Sequence, residues 1–277
     1  MNTATTEQTV QRHYTVEGLA HTILGALQSQ GADLSRLGPD DLAPVDEFHI
    51  RGRESTAELA ALAQLQGDTE VLDIGSGLGG TARFLAADYG CRVTGVDVTP
   101  GYCDVASDLS ARLGLSERTR FRQGSALDLP FHDETFDVVW TEHVQMNIAD
   151  KRRFYAEAAR VLKPGGKLVF HDIFAGPGAP PQYPVPWAAT SEISFLAPVA
   201  EVRFILDALG LRAEHWIDSS AASRQWFASV LARNAEHGPP PLGLHLLMGP
   251  TGKEKFSNLL ENFRGECVQT IQAVLRK

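Results

Sequence analysis

The chain has 277 residues, which is enough for one large domain with its own hydrophobic core. Its 34 acidic and 25 basic residues give a net charge of −9, which argues against nucleic acid as a partner. The three cysteines are widely spaced and no Cys/His cluster occurs, so the sequence predicts neither a disulfide framework nor a metal site.

Residues 1–66 are predicted to form a helical arm ahead of a main domain that comprises residues 67–277. The first ten residues are polar, without the positive and apolar segments of a secretion signal, and no later stretch is long and apolar enough for a membrane span. A cytoplasmic protein is therefore expected. Apolar residues at helical spacing predict helices over 16–30 and 53–65, joined by a polar loop at 31–46.

The main domain opens with an apolar strand that runs into a glycine-rich turn and then a helix. The strand is predicted at 71–74, and the turn that follows contains Gly75, Ser76, Gly77 and Gly79. Glycines remove the side chains that would keep a ligand away from the backbone, and the start of a helix directs free N–H groups toward it. This pattern predicts a nucleotide-type cofactor at the turn.

A second apolar strand, at 92–97, ends about 20 residues after the turn in an acidic residue. This residue, Asp97, has the position of a carboxylate that accepts both hydroxyl groups of a ribose. A surface turn is the plainer interpretation of an acid there, and the spacing from the glycines favours the ribose contact. Val98 follows and is expected to press on an adenine face.

The glycines alone do not identify the cofactor. Gly75, Gly77 and Gly80 also satisfy the dinucleotide pattern G-x-G-x-x-G, so a nucleotide-dependent oxidoreductase is an alternative of a different class. Asp73, two residues before the turn, favours S-adenosylmethionine, because its charge would repel a pyrophosphate and attract an ammonium group. A carboxylate that only ties down the turn is the other role open to Asp73.

Strands and helices continue to alternate along the chain. Further strands are predicted at 119–122, 136–140, 167–172, 211–217 and 242–248, and helices at 81–89, 101–113, 150–161, 198–209, 221–236 and 253–277. The rhythm predicts an α/β protein with a Rossmann-like, doubly wound, mostly parallel seven-stranded sheet. Residues 176–186 leave the regular pattern, and 187–196 are predicted to form a surface segment over the active-site edge.

Five motifs in order resemble those of class I S-adenosylmethionine-dependent methyltransferases. They are Asp73-Ile74-Gly75-Ser76-Gly77-Leu78-Gly79, Gly95-Val96-Asp97, the segment Gln123 to Phe131, Phe136-Asp137-Val138-Val139-Trp140, and Arg160-Val161-Leu162-Lys163-Pro164-Gly165-Gly166. Within that superfamily the chain is most similar to the sarcosine/dimethylglycine methyltransferase type and to bacterial natural-product methyltransferases. The resemblance implies methyl transfer from S-adenosylmethionine to an O, N or C atom of a small molecule.

The resemblance also implies roles for residues that follow the third and fourth strands. Ser125 and Ala126 lie where many relatives carry an acid for the adenine amino group, and serine departs from that pattern. The segment from Thr141 to Asn147 is expected beside the transferred methyl group, with Glu142 near the cofactor. His143 is the candidate general base, since an imidazole takes up a proton near neutral pH, and a hydrogen bond to a loop carbonyl is its alternative role.

The acceptor pocket is expected around the fourth and fifth strand ends and in the segment at about 174–197. Its candidate residues are Gln145, Met146, His171, Tyr183, Trp187 and Phe195. The three aromatic residues among them are also consistent with simple packing over the sheet edge. Together they predict an acceptor with an apolar or ring portion, unless Arg51 or Arg53 reaches the pocket and grips a carboxylate, as in a sarcosine or dimethylglycine methyltransferase.

The resemblance gives the N-terminal arm the role of a lid that folds over the cofactor and excludes water. Tyr14 is the residue expected to contact the cofactor from this lid. A contact between subunits of a homo-oligomer is the alternative role of the arm. A non-catalytic protein that retains the fold is disfavoured, because the glycine turn and Asp97 are both intact.

Overall fold

The computed structural model describes residues 3–277, so the first two residues of the predicted arm lie outside the described part. The helices are α1 Thr3–Tyr14, α2 Leu19–Ser29, α3 Pro39–Asp46, α4 Gly52–Ala63, α5 Gly80–Tyr89, α6 Pro100–Arg112, α7 Lys151–Val161, α8 Val199–Ala208, α9 Ser220–His237, α10 His245–Met248 and α11 Gly252–Arg264. The strands are β1 Glu70–Ile74, β2 Arg92–Asp97, β3 Thr119–Gln123, β4 Phe136–Glu142, β5 Leu162–Ala175, β6 Arg212–Asp218 and β7 Val268–Arg276. Among the described helices, none combines the length and apolarity needed to cross a membrane.

All seven strands form one sheet in the order β3-β2-β1-β4-β5-β7-β6. The first five strands in this order, β3-β2-β1-β4-β5, pair in parallel. Strand β7 pairs antiparallel with both β5 and β6. Strands β1 and β4 lie at the centre and are apolar along most of their length, because helices cover both faces of the sheet. The predicted Rossmann-like, mostly parallel sheet with N-terminal helices is confirmed.

The N-terminal region contains more helix than predicted. Helix α1 lies in the polar N-terminal segment, where no helix was predicted. Its Val10 side chain is buried against the rest of the protein. Helix α3 lies inside the predicted loop at 31–46, where Leu42 and Val45 are buried. Its start is stabilised by Pro39 at the first helical position and by the Asp41 carboxylate, which accepts from the N–H of Gly38.

The C-terminal prediction was wrong in two places. Residues 242–248 do not form a strand, because the segment ends in the short helix α10. The predicted helix over 253–277 stops at Arg264, and the chain returns as β7. Strand β7 pairs with β5 and β6, and its side chains from Val268 onward are almost all buried on the faces of the sheet, so tertiary burial decided the structure of a segment whose apolar residues suit either pattern.

The segment at 187–196 is not a surface segment at its start. The Trp187 side chain is fully buried, and its indole N–H donates to Ser194 Oγ at 2.9 Å. Neighbouring Val185 and Ala188 are also buried, and their backbone groups pair with each other. The segment therefore forms part of the wall between the sheet edge and the C-terminal helices α9 and α11.

A buried ion pair joins the N-terminal helices to the start of the main domain. Arg83 of α5 and Asp46 at the end of α3 are both buried, and Arg83 Nη2 lies 2.6 Å from Asp46 Oδ2. The same guanidinium donates to the carbonyl of Leu78 in the glycine turn at 2.7 Å and to that of Ala106 in α6 at 3.2 Å. Arg83 therefore fixes the position of α3, the glycine turn and α6 relative to one another.

Candidate active site

The glycine turn is held against the end of β2. The N–H groups of Gly75 and Ser76 both donate to the carbonyl of Val96, at 2.7 and 3.1 Å. Gly77 has a φ of 51°, and a Cβ atom there would meet nothing within 4 Å, so its backbone is open to a ligand. Gly79 does not have the predicted role of admitting a ligand, because a Cβ atom there would collide with Phe121 and Arg83.

Asp97 reaches from the end of β2 across the turn. Its carboxylate accepts from the N–H of Gly77 at 3.0 Å and from the N–H of Thr99 at 2.8 Å. Burial raises the pKa of this carboxyl group, and the two N–H donors act in the opposite direction. An acid held in this way has its remaining lone pairs available for ligand hydroxyl groups at the turn.

A cavity of about 1100 Å³ extends from the turn along the carboxyl ends of the central strands. Nine of the ten predicted cofactor residues line it: Tyr14, Asp73, Gly75, Ser76, Gly77, Asp97, Val98, Ala126 and Glu142. Its described lining includes five acidic residues, namely Glu7, Asp46, Asp73, Asp97 and Glu142, and no Lys or Arg. This distribution of charge suits a cationic ligand and disfavours a pyrophosphate.

Asp73, near the end of β1 and just before the glycine turn, is one of these acids. Its side chain is 3% exposed, and within residues 3–277 the Oδ2 atom accepts no hydrogen bond. Burial, with Glu142 and Asp97 nearby, raises the pKa of its carboxyl group well above the usual range. A ligand that brings a positive charge to this position would stabilise the ionised form.

Ser125 is the predicted cofactor residue that does not line the cavity. Its hydroxyl donates to a carboxylate oxygen of Glu7 in α1, and the N–H of Leu127 donates back to that hydroxyl. Glu7 itself lines the cavity. An acid from the N-terminal arm therefore lies beside Ser125, which the sequence pattern did not reveal.

The backbone after β4 turns sharply at the candidate base. His143 has a φ of 54°, an uncommon conformation for a residue other than glycine, and its N–H donates to the carbonyl of His171 at 2.8 Å. The carboxylate of Asp172 accepts from the N–H groups of Val144 and Gln145 at 3.1 and 2.9 Å. These bonds from β5 hold the loop that follows β4 in place. As a result, the His143 ring projects between two cavities.

Three histidine rings pack together at this point. The ring centroids of His143 and His171 are 4.8 Å apart. The ring centroid of His49 lies 6.1 Å from that of His143 and 6.4 Å from that of His171. Burial lowers the pKa of His143 and of His171 well below the ordinary value of 6.5, and the neighbouring histidines act in the same direction. Both imidazoles are therefore neutral at pH 7 and can accept a proton or a metal.

A second cavity of about 380 Å³ adjoins the first beyond these histidines. Tyr14, Phe48, His49 and His143 line both cavities. The rest of the second lining is apolar: Ile50, Met146, Ile173, Pro186, Trp187, Trp226, Phe227, Leu244, Phe256 and Leu259. Most of the aromatic residues come from α9 and α11, whose contribution the sequence patterns did not indicate.

Of the predicted acceptor residues, only Met146 and Trp187 line the second cavity. Gln145 is fully buried, and its side-chain amide donates to the carbonyl of Ile173. His171 is also fully buried, and its ring packs edge-on against that of His143. Phe195 donates its N–H to the carbonyl of Met146, and Tyr183 packs against the apolar cluster around the cavity. The structure therefore brings the six residues into one region without exposing all of them to a common space.

The two arginines that were candidates for binding an acceptor carboxylate have other partners. Arg51 pairs with Glu58 at 2.5 Å and with Glu54 at 2.9 Å. Arg53 bonds the carboxylate of Glu47, and its guanidinium lies 4.5 Å from the ring centroid of Phe84. Neither arginine is among the residues that line the two cavities.

Helix α1 covers the junction of the two cavities. The Tyr14 hydroxyl donates to Asn147 Oδ1 at 2.8 Å, which ties the arm to the loop after β4. His13 Nε2 lies 3.0 Å from the carbonyl of Pro186. Glu7 and Val10 complete the contribution of α1 to the larger cavity.

Known proteins with similar sequences match 40% to 53% of the chain. A family model described as a methyltransferase domain matches residues 72–170. Erythromycin 3''-O-methyltransferase of Saccharopolyspora erythraea is 39% identical over 122 residues, which is 44% of this chain and 40% of that protein. Glycine/sarcosine/dimethylglycine N-methyltransferase of Actinopolyspora halophila is 32% identical over 136 residues, 49% of this chain and 24% of that protein.

The whole chain resembles solved structures. Geranyl diphosphate C-methyltransferase from Streptomyces coelicolor A3(2) superimposes with a TM-score of 0.73 at 17% identity, over 98% of this chain and 97% of that one. The sequence matches to the first curated relatives span only 24% to 48% of their length. Residues 72–170 form a methyltransferase domain, and the chain has the fold of the S-adenosylmethionine-dependent methyltransferases.

Proposed function

We propose that this protein transfers a methyl group from S-adenosylmethionine to a hydroxyl group of a small molecule with a large apolar portion. The observation that carries the proposal is the pair of adjoining cavities, one acidic and one apolar, which meet at His143. The curated relatives that are O-methyltransferases are consistent with this chemistry. We place the enzyme in the cytoplasm, in specialised metabolism, and expect no nucleic acid as substrate.

The acidic cavity suits S-adenosylmethionine on three counts. Asp97 would accept the ribose hydroxyl groups, with the open backbone of Gly77 beside it. Asp73 would stabilise the cationic methionine portion, whereas a pyrophosphate would meet acids and no lysine or arginine among the described lining. Glu7, held by Ser125, is placed to accept from the adenine amino group. The oxidoreductase alternative is therefore disfavoured.

His143 would act as the general base. Its Nε2 atom has no hydrogen-bond partner within residues 3–277, and burial keeps the ring neutral at pH 7. In the transfer, the acceptor O–H bond breaks and its proton passes to Nε2. The oxygen attacks the methyl carbon, and the C–S electron pair returns to sulfur. Binding both reactants in line supplies much of the rate enhancement.

A transfer assay with methyl-labelled S-adenosylmethionine tests the proposed acceptor. Hydroxylated aromatic and isoprenoid compounds should be labelled, whereas dimethylglycine should not, because Arg51 and Arg53 are already paired with acids. Leu244→Trp, which fills the apolar cavity from a half-buried position, should raise the acceptor KM and leave cofactor affinity unchanged. Efficient labelling of dimethylglycine that is lost in Arg51→Ala would refute the apolar acceptor.

The pH dependence of transfer should report the buried state of His143. Because the pKa of His143 is held well below 6.5, the neutral base predominates at pH 7, and kcat should change little between pH 8 and pH 6.5. Activity should fall only at lower pH, as the ring takes up a proton. His143→Gln should lower kcat by about 10²- to 10⁴-fold and retain cofactor binding. A kcat that halves at or above pH 6.5 would contradict this assignment.

Helix α1 is proposed to act as a lid over the cofactor. Deletion of residues 1–15 removes Glu7, Val10 and Tyr14 from the cavity but no part of the sheet. The truncated protein should fold, bind S-adenosylhomocysteine about 5- to 30-fold more weakly through the loss of about 1–2 kcal/mol, and turn over slowly. Calorimetry and circular dichroism measure both properties. Loss of folding would indicate a structural or intersubunit role, and unchanged turnover would exclude a lid.

A further inference from the structure

Three buried side chains with metal-ligating atoms meet at the junction of the two cavities. They are His49 from the loop before α4, Glu142 at the end of β4 and His171 in β5, and they are 7%, 8% and 0% exposed. One ligand atom from each lies within 4.8 Å of the corresponding atoms of the other two. The sequence predicted no metal, because these residues are far apart along the chain.

Buried histidine nitrogens in this cluster lack partners. Within the described residues, neither ring nitrogen of His171 makes a hydrogen bond, although the side chain is fully buried. Buried polar groups are almost always partnered, so an imidazole with both nitrogens unsatisfied indicates a missing ligand.

The negative charge of Glu142 in this cluster also favours a bound cation. In the described part of the chain, no lysine or arginine lies within ion-pair distance of the buried Glu142 carboxylate, and the nearest basic group is His49, whose Nε2 is 3.7 Å away. Glu47, 3.8 Å from His49 Nε2, is already paired with Arg53. A divalent cation would compensate the Glu142 carboxylate.

Surrounding donors orient the carboxylate and leave one oxygen accessible. Glu142 Oε2 accepts from Trp140 Nε1, Thr81 Oγ1 and Thr56 Oγ1, each at 3.0 Å, whereas Oε1 has a single 3.3 Å contact to Thr56. Hydroxyl groups of Ser55 and Thr56 lie 3.3 Å from the two nitrogens of His49. Such outer partners are typical of metal sites, where they fix the ligand side chains.

We propose that His49, Glu142 and His171 bind one divalent first-row transition-metal ion, for which two imidazoles and a carboxylate are a suitable ligand set. Bonds of about 2.0–2.2 Å would draw the ligand atoms together by roughly 1 Å. Because His49 lines both cavities and Glu142 lines the larger one, an ion held by these residues would lie beside the junction. There the ion would bind the acceptor oxygen and lower its pKa before the proton passes to His143. That role, unlike metal binding itself, rests on the proposed function.

The test is a titration of the EDTA-treated 277-residue chain with Co²⁺ alone, followed by calorimetry and by visible absorption. One equivalent should bind and produce ligand-field bands. His49→Gln and His171→Gln should each weaken binding by at least about 100-fold, since the loss of an outer partner alone costs 10- to 100-fold. His132→Gln, at an exposed histidine, should bind as the unaltered protein does. Circular dichroism without metal checks that each variant is folded.

Failure of Co²⁺ to bind would overturn the proposal. Binding by folded His49→Gln and His171→Gln that is as tight as binding by the unaltered protein would also overturn it, because it would identify an adventitious surface site. The assay contains neither cofactor nor acceptor, so its outcome is separate from that of methyl transfer. If Co²⁺ binds and no acceptor is methylated, only the proposed function fails. If the metal also serves the acceptor, its removal should raise the acceptor KM and leave the affinity for S-adenosylhomocysteine unchanged.

Discussion

Asp46→Ala should lower the free energy of unfolding by about 3–5 kcal/mol, because it leaves the charge of Arg83 buried without its partner. The guanidinium is fully buried, and its Nη2 atom lies 2.6 Å from Asp46 Oδ2. Since the same guanidinium holds the carbonyl of Leu78, the glycine turn should loosen as well. Urea unfolding followed by circular dichroism measures the loss of stability.

Asp40→Ala provides the matched control in the same helix. Asp40 pairs with Arg53, but its side chain is almost fully exposed, so its loss should change stability by less than about 1 kcal/mol. The double variant Asp46→Ala with Arg83→Met should recover part of the loss, because it removes the uncompensated charge. Equal stability of Asp46→Ala and Asp40→Ala would show that the buried pair does not couple α3 to the main domain.

Asp97→Ala should weaken S-adenosylmethionine binding by about 1–3 kcal/mol, which corresponds to roughly 5- to 150-fold in Kd. The variant removes a charged acceptor from the ribose hydroxyl groups. It also frees the N–H groups of Gly77 and Thr99, which hold the turn in place. Isothermal calorimetry with S-adenosylmethionine and S-adenosylhomocysteine measures the effect.

Two comparisons make the Asp97 result specific. Asp104→Ala removes an exposed acid from the following helix and should leave affinity unchanged. The unaltered protein should bind S-adenosylhomocysteine and show no heat with NAD, because the cavity presents acids where a pyrophosphate would lie. An affinity for S-adenosylmethionine that is the same in Asp97→Ala would remove the ribose assignment, and binding of NAD would restore the oxidoreductase alternative.

The sequence by itself determined the parts of this protein that depend on local pattern. A strand, a glycine turn and a helix are encoded within about 20 residues, so β1, the turn and α5 were predicted nearly to the residue. Parallel strands bring their carboxyl ends to one edge of a sheet, and this rule placed Asp73, Asp97 and His143 around one cavity.

Only the tertiary structure decided the features that depend on contacts between distant segments. Strand β7 forms where a helix was predicted, because β5 and β6 pair with its backbone on both edges and its side chains are buried on the faces of the sheet. Glu7 reaches Ser125 from more than 100 residues away, and the apolar cavity takes its aromatic walls from α9 and α11. His49, Glu142 and His171 likewise come together only in the folded protein. Their separation along the chain does not show that these segments become neighbours.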